Sequence, residues 1–351
     1  MTETTTKIIN PATSEAISVY GLPYFAQEKK YYRFSEKDMD TVAGVNPFLA
    51  TLAKHPAGGM LAFYSDTTSL KLHAKLSGIL HMAHMTHVGQ SGFDLYVGTK
   101  RSNLSFFSST NYNISLNEYD IGMFNHSVKR RRLFVIDLPL YASVDSVELE
   151  IDSEAFVEPA TDLFPKGRIV VYGTSITQGG CASRPGMAYP AIIAREIGYE
   201  FINYGFSGSG KGEKAIAELV ASTQDVSMFI LDYEGNADEN QILENTLEPF
   251  VATIREKYPA VPILIISKIR MAKETHFLEK LNHALKMSRF QAGFVQKQRE
   301  SGDANIYFLD GKNLLLPLQH EATVDGIHPT DLGFYFMANR IMKKILSIIE
   351  N

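Results

Sequence analysis

A serine hydroxyl is a weak nucleophile until a neighbouring base takes its proton. Ser175 stands where a fold can supply that base. It lies in Gly173-Thr174-Ser175-Ile176-Thr177, directly after the apolar run Arg168–Tyr172. Near the C-terminus, Asp325-Gly326-Ile327-His328-Pro329 puts a carboxylate and an imidazole three residues apart, close enough to share one turn. The carboxylate would hold one ring nitrogen while the other faces Ser175. Two further segments carry groups suited to an oxyanion. Asn203-Tyr204-Gly205-Phe206-Ser207-Gly208-Ser209-Gly210 is a Gly-rich turn able to aim free N–H groups, with Gly208 the favoured donor. Asp232-Tyr233-Glu234-Gly235-Asn236 brings the side-chain amide of Asn236. Nucleophile, base, orienting acid and oxyanion donors together make a complete acyl-transfer set, and this chemistry calls for no cofactor and no metal.

Such groups act together only if strand ends gather them. From about residue 166 apolar runs alternate with helical stretches. The runs are Arg168–Tyr172, Phe201–Tyr204, Val226–Asp232, Val261–Ser267 and Asn305–Leu309. The helical stretches are Ala188–Ile197, Glu213–Ala221, Ile242–Lys257, Glu274–Arg299 and Leu332–Ile349. The first, third and fourth runs are nearly continuous in Val, Ile, Leu and Phe, as in parallel strands covered on both faces. The alternation predicts a flavodoxin-like three-layer α/β/α domain of about five parallel strands. In such sheets chemistry collects at the carboxyl ends of the strands, where Ser175, Gly208 and Asn236 all fall.

Residues 1–160 read differently. Leu61–Tyr64, Leu70–Leu76 and Val147–Ile151 alternate apolar and polar residues and are separated by Gly, Asn, Ser and Asp. That pattern predicts a β-sandwich or jelly roll. Pro159, Pro165 and Gly167 interrupt both patterns, so the expected division is an accessory domain over 1–160 and a catalytic domain over 161–351.

The four blocks resemble those of the SGNH (GDSL-like) hydrolase family in order and spacing. The elbow of α/β-hydrolases is excluded, because Thr177 stands where that motif needs Gly. The resemblance maps the family's serine to Ser175, its glycine to Gly208, its asparagine to Asn236, and its Asp-x-x-His to Asp325 and His328. Two blocks depart from the pattern: Gly-Thr-Ser replaces Gly-Asp-Ser, and Glu-Gly-Asn-Ala replaces Gly-x-Asn-Asp. Upstream, Gly92-Phe93-Asp94-Leu95-Tyr96 matches the Gly-x-Asp-Leu-Tyr signature of a β-rich domain that precedes a subset of these esterases. The resemblance implies an esterase that removes small acyl groups, acetyl first among them, from carbohydrate. The alternative it allows is an acyltransferase that uses the same triad on a small-molecule alcohol. An inactive relic fused to a binding module fits poorly with five intact site residues.

Each residue also has a plainer reading. Alone, Ser175 would be a helix N-cap, Gly208 a turn glycine and Asn236 a turn residue. Asp94 and Tyr96 read as structural. Arg184, in the loop after the nucleophile, and Lys268 and Arg270, after the fourth strand, are candidate substrate-binding residues. His81, His84 and His87 recur every three residues, a spacing that splits them between faces in either regular structure and argues against a metal trio. Cys181 is the single cysteine, so no intrachain disulfide forms.

The net charge of −5 and the lack of a basic face exclude nucleic acid as an expected partner. The basic run Lys129–Arg132 leads straight into apolar residues and reads as the solvated start of a strand. No apolar window approaches a membrane span. Residues 1–7 show no basic-then-apolar leader pattern, so a cytoplasmic location is expected. The expected partner is a small acylated substrate such as a sugar ester. A second copy of the chain is also admitted, with the β-rich half supplying part of a carbohydrate pocket or a subunit interface.

Overall fold

In the computed structural model, which describes residues 5–350, five parallel strands form the central sheet. In spatial order they are Glu200–Gly205, Arg168–Gly173, Val226–Asp232, Ile263–Ile266 and Ile306–Leu309. Numbered by sequence the order is 2-1-3-4-5, the flavodoxin arrangement. Its switch point lies between the first and third strands, where the connections leave in opposite directions and open a crevice. Ser175 follows the first of these strands and Asn236 the third, so topology alone brings them to one place.

Alternate residues of the strands bury against different layers. Val170, Tyr172, Tyr204, Phe229, Leu231 and Ile265 pack under helices Lys214–Ala221, Ile242–Lys257 and Leu278–Glu300. Ile169, Val171, Phe201, Met228, Ile230 and Leu264 pack under helices Tyr189–Ile197 and Asp331–Ile349. Both faces are therefore dry, which accounts for the unbroken apolar runs.

The N-terminal half holds two antiparallel sheets. One orders Thr6–Ile9, Val144–Asp152, Ser69–Leu76 and Glu118–Asn125. The other orders Val157–Pro159, Met60–Ser65, Arg132–Asp137, Asp94–Gly98 and Ser105–Ser109, with Ser18–Tyr20 added beside Met60–Ser65. Leu70, Leu72, Val147 and Leu149 of the first share a core with Leu61, Phe63, Leu95, Phe134 and Ile136 of the second. Side chains of period two thus meet face to face as the alternation predicts. The basic run Lys129–Arg132 does lead into a strand, although Arg132 itself is buried and donates to the carbonyls of Val128 and Arg130.

The N-terminal half is not all β. Residues 33–53 leave the two-sheet core, form helices Met39–Val45 and Pro47–Ala53, and bury Phe34, Val42, Leu49 and Leu52 in the core of the parallel sheet. Arg33 travels with them. It is fully buried and, among the described residues, pairs with no carboxylate. Its guanidinium donates to the carbonyls of Leu52 (2.6 Å), Asn203 (3.1 Å) and Gly205, and lies 4.3 Å from the centre of the Phe206 ring. Burial lowers its pKa to about 9, with the nearby Tyr141 and Tyr204 opposing that shift, so it still carries its charge at neutral pH. Carbonyl dipoles stand in for the missing water. Arg33→Ala should cost at least about 3 kcal/mol, because it opens a cavity and strands buried carbonyls. Urea denaturation measures this, and a loss below about 1 kcal/mol would contradict it.

Candidate active site

Ser175 begins a one-turn helix, Ser175–Gln178, but it does not cap it. The cap is Thr174, whose hydroxyl accepts the N–H of Ile176 at 3.2 Å. The Ser175 side chain is thereby free to turn to the imidazole. Its Oγ lies 2.8 Å from His328 Nε2, and His328 Nδ1 lies 2.7 Å from Asp325 Oδ2. The second carboxylate oxygen, Oδ1, accepts the N–H groups of Ile327 (3.0 Å) and His328 (2.8 Å). One tight turn thus sets both relay residues, and Gly326 supplies the left-handed φ of +82° that the turn needs. Partial burial works to raise the Asp325 carboxyl. The hydrogen bonds from the His328 backbone and ring and from Ile327 outweigh it, and its pKa falls below the ordinary value.

The close turn out of the first strand explains Gly173. A Cβ there would stand 2.0 Å from Thr177 Oγ1 and 2.6 Å from the Asp232 carbonyl. Thr177, where an elbow glycine would be, donates instead to Asp232 Oδ2 at 3.1 Å. Tyr189 donates to the same oxygen at 2.9 Å. This carboxylate knits the first and third strand ends together beneath the site.

The backbone N–H groups of Ser175 and Gly208 donate to no other group among the described residues. The Asn236 amide donates to the Phe206 carbonyl at 3.1 Å, which orients it and leaves its second N–H available. The same carbonyl accepts Ser209 and Gly210 N–H at 3.0 Å, so one oxygen ties the Gly208 turn to Asn236. Ser175, Gly208, Asn236, Asp325 and His328 all line one open cleft of about 570 Å³, a size usual for small-ligand sites.

Departure from the family pattern at Glu234 has a physical reason. Glu234 is buried and accepts Lys268 N–H at 2.8 Å and Gln291 Nε2 at 2.6 Å, pinning the Asn236 turn to the fourth strand and the long helix. Burial pushes its carboxyl up to about 7, against the Lys268 contacts.

The three basic candidates fare differently. Lys268 does reach the cleft wall, but its ammonium is held by Asp238 and by Glu274 at 3.2 Å. Arg270 is not on that wall: its guanidinium turns to Glu274 at 3.2 Å, an i,i+4 ion pair. Arg184 is not on it either. It reaches into the β-rich half, donating to Asp94 Oδ2 and to Tyr96 Oη at 2.7 Å each, and lies 3.9 Å from the centre of the Phe106 ring. Asp94 also accepts the Gly186 N–H at 2.8 Å. The Gly92–Tyr96 segment is therefore a clamp between the halves. A buried carboxylate needs a cationic partner, and Arg184 is spent on that need rather than on a ligand.

Sequence reasoning missed one support, Gln178, and one exposed neighbour of the relay, His84. Gln178 accepts Ser207 N–H at 3.0 Å and donates to the Leu140 carbonyl at 2.9 Å, bracing the Gly208 turn against the N-terminal half. His84 sits with its ring 5.7 Å from that of His328, while His81 and His87 pair separately at 5.4 Å. No sequence pattern announces either, because both arise from contacts across the chain. Cys181, whose sulfur lies within 4.8 Å of a His328 ring nitrogen, is buried, and burial together with the Asp325 charge pushes its thiol up to about 12, so it is no nucleophile.

A doubly covered sheet of order 2-1-3-4-5 with a serine–histidine–aspartate chain at its switch point defines a class of α/β proteins built for acyl chemistry. Within that class, the sequence pattern of the GDSL-like lipase/acylhydrolase family matches residues 166–346, and the chain belongs to this family. A second pattern, the GxDLY N-terminus of SGNH-hydrolase-type esterases, matches residues 7–157. Among curated proteins, none matches the chain in sequence. Among solved structures, one from Bacteroides ovatus ATCC 8483, described as a GDSL-like lipase, is 29% identical. It covers 99% of this chain and 98% of its own, with a TM-score of 0.88. The salicylyl-acyltransferase SsfX3 of a tetracycline biosynthetic pathway is 18% identical over 98% of each chain, TM-score 0.77. A family two carbohydrate esterase from Clostridium thermocellum, in complex with cellohexaose, is 13% identical over 83% of this chain and 92% of that one, TM-score 0.59.

Asp232 gives a pH test. Burial raises its carboxyl to about 7, against the Tyr189 and Thr177 hydrogen bonds. Above the ordinary carboxylate range and up to about pH 7, the folded chain holds a proton that the unfolded chain has lost. Its contribution is full at acid pH and is lost as pH rises to about 7, with a slope of up to about 1.4 kcal/mol per unit. Asp232→Asn should flatten the fall in denaturation free energy between pH 5 and 7. An unchanged slope would refute it.

Proposed function

We propose that the chain is a serine carboxylic-ester hydrolase that removes small acyl groups, acetyl first among them, from carbohydrate. The observation that carries the reading is the unbroken Ser175–His328–Asp325 hydrogen-bond chain opening on one cleft. His328 Nε2 takes the Ser175 proton as Oγ bonds to the ester carbonyl carbon. The carbonyl electrons move to oxygen, and the negative charge meets the N–H groups of Ser175 and Gly208 and the Asn236 amide. Asp325, held below its usual pKa, stays ionised and steadies the imidazolium. The C–O bond to the alcohol breaks, and the departing oxygen takes the proton from His328. Water then attacks the acyl-serine with the same base, releasing the acid and restoring Ser175.

The cleft wall supports a hydroxyl-rich ligand. Besides the relay it carries Asp238, Glu239, Lys273, Lys280 and His283 with few apolar side chains, of which Met271 and Ile327 are the largest. That lining suits a sugar better than a long acyl chain. The carbohydrate esterase named above gives the same hint.

One observation favours transfer to an alcohol instead of water: SsfX3 aligns over 98% of this chain at a TM-score of 0.77, above the 0.59 of the carbohydrate esterase. Adding a sugar alcohol to a turnover assay separates the readings. A hydrolase keeps releasing acetate, whereas a transferase diverts the acyl group to a new ester seen by mass spectrometry.

Ser175→Ala should lower turnover of p-nitrophenyl acetate by about 10⁴-fold or more while the thermal unfolding midpoint stays in place. Near-normal turnover would end the reading. Asn236→Ala should cost about 10²–10³ in kcat with KM little changed. A change confined to KM would move Asn236 from oxyanion to substrate binding.

A further inference from the structure

We propose that His84, Cys181 and His328 form a reversible, inhibitory site for a borderline-soft divalent cation of the Zn²⁺ class. The binding stands by itself; only its inhibitory consequence rests on the function proposed above. One ligand-capable atom from each of the three side chains lies within 4.8 Å of the other two, and the site is empty. The three residues come from distant segments, so chain proximity does not account for the cluster. The rings of His84 and His328 lie 5.7 Å apart, tilted by 48°.

The donor set is selective. Two imidazole nitrogens and one sulfur suit Zn²⁺ and its neighbours, and three protein ligands leave one coordination position open. Bonds of about 2.0–2.3 Å in tetrahedral geometry want ligand atoms roughly 3.5 Å apart. From the 4.8 Å bound, the three must therefore draw in by up to about 1.3 Å, and His84, exposed on its loop, has room to do so.

Surrounding structure holds the ligands in place. The His84 loop is braced by Gln90, whose Oε1 accepts Met82 N–H at 2.9 Å and whose Nε2 donates to the carbonyls of Met82 (3.1 Å) and Met85 (2.6 Å). Cys181 keeps a left-handed backbone, φ +72°, in a stretch where Gly179 and Gly180 precede it. An L-residue is disfavoured there, so the thiol occupies a position where glycine would relieve the strain. His328 Nδ1 is taken by Asp325, which leaves Nε2 as the coordinating nitrogen. A carboxylate on the far ring nitrogen is the usual outer partner of a zinc-bound histidine.

Binding is balanced in protons. The cation takes the Nε2 lone pairs or Nδ1 lone pair that the two rings offer, and the Cys181 thiol releases its proton to solvent as sulfur coordinates. Ser175 Oγ then loses the acceptor for its own proton, and the nucleophile is silenced without any change in fold. A chelator reverses the process.

The experiment uses the full chain with Zn²⁺ as probe, in competition with a chromogenic chelator and by calorimetry. Wild type and Ser175→Ala should each bind one Zn²⁺, and His84→Ala should bind it roughly tenfold or more weakly. Cys181→Ala should do the same. His84→Ala, a surface change, should keep the wild-type rate on p-nitrophenyl acetate. It should also escape inhibition at Zn²⁺ levels that silence wild type, whose activity returns with EDTA. No binding by wild type, or binding undiminished in His84→Ala, would overturn the site. Zn²⁺ bound through His84 in a chain that cleaves no ester would uphold the site and overturn the catalytic reading instead.

Discussion

A guanidinium without a carboxylate, sealed in a protein core, has few places to go. Arg33 solves this by collecting the carbonyls of Leu52, Asn203 and Gly205 and lying on the Phe206 ring. Two of those carbonyls belong to the second strand of the parallel sheet and stand just before the Gly208 turn. One residue from the N-terminal half thus fixes the end of a strand in the other half. The alternative, an unsolvated charge, costs far more than any packing gain can offset. The segment that carries Arg33 must therefore dock, and its helices bury Phe34, Leu49 and Leu52 as they do so.

The site inherits its rigidity from this docking. The Phe206 carbonyl, one residue beyond Gly205, orients the Asn236 amide and closes the Gly208 turn. Gln178 braces the neighbouring Ser207 against Leu140 of the N-terminal half. On the other flank, the Arg184–Asp94 pair holds the loop that follows the nucleophile, and Ser183 N–H donates to Asp331 at 2.8 Å at the start of the last helix. Groups aimed in advance at a developing charge need no rearrangement when it appears, which is why these supports matter for the proposed chemistry.

Period and spacing made much of this legible. Val226–Asp232 and Ile242–Lys257 read from sequence with their observed bounds, because a doubly buried strand and an amphipathic helix each leave a local pattern. The Asp325–His328 turn was legible for the same reason, since the bonds from Asp325 to Ile327 and His328 that set the pair lie within four consecutive residues. Helices Met39–Val45 and Pro47–Ala53 were not, as their apolar residues answer to a sheet more than a hundred residues away. Arg184 shows the same limit from the site side. Its place in the loop after Ser175 suggested a pocket role, but only the fold reveals the buried Asp94 that claims it. Long-range electrostatic debts leave no trace in local spacing.

The two halves are therefore better understood as one machine than as a catalytic unit with an appendage. Arg33 and Leu140 support the strand end and turn around Gly208, Asp94 and Tyr96 hold the loop after Ser175, and His84 stands beside the His328 ring. Each of these contacts crosses between the antiparallel and parallel parts of the chain. A parallel sheet can place a serine and an asparagine at its switch point unaided. Holding the turns that carry them falls to residues supplied from outside the sheet. In this chain those residues come from the β-rich half, so a change at Asp94 or Arg33 acts on the cleft through the backbone that they hold.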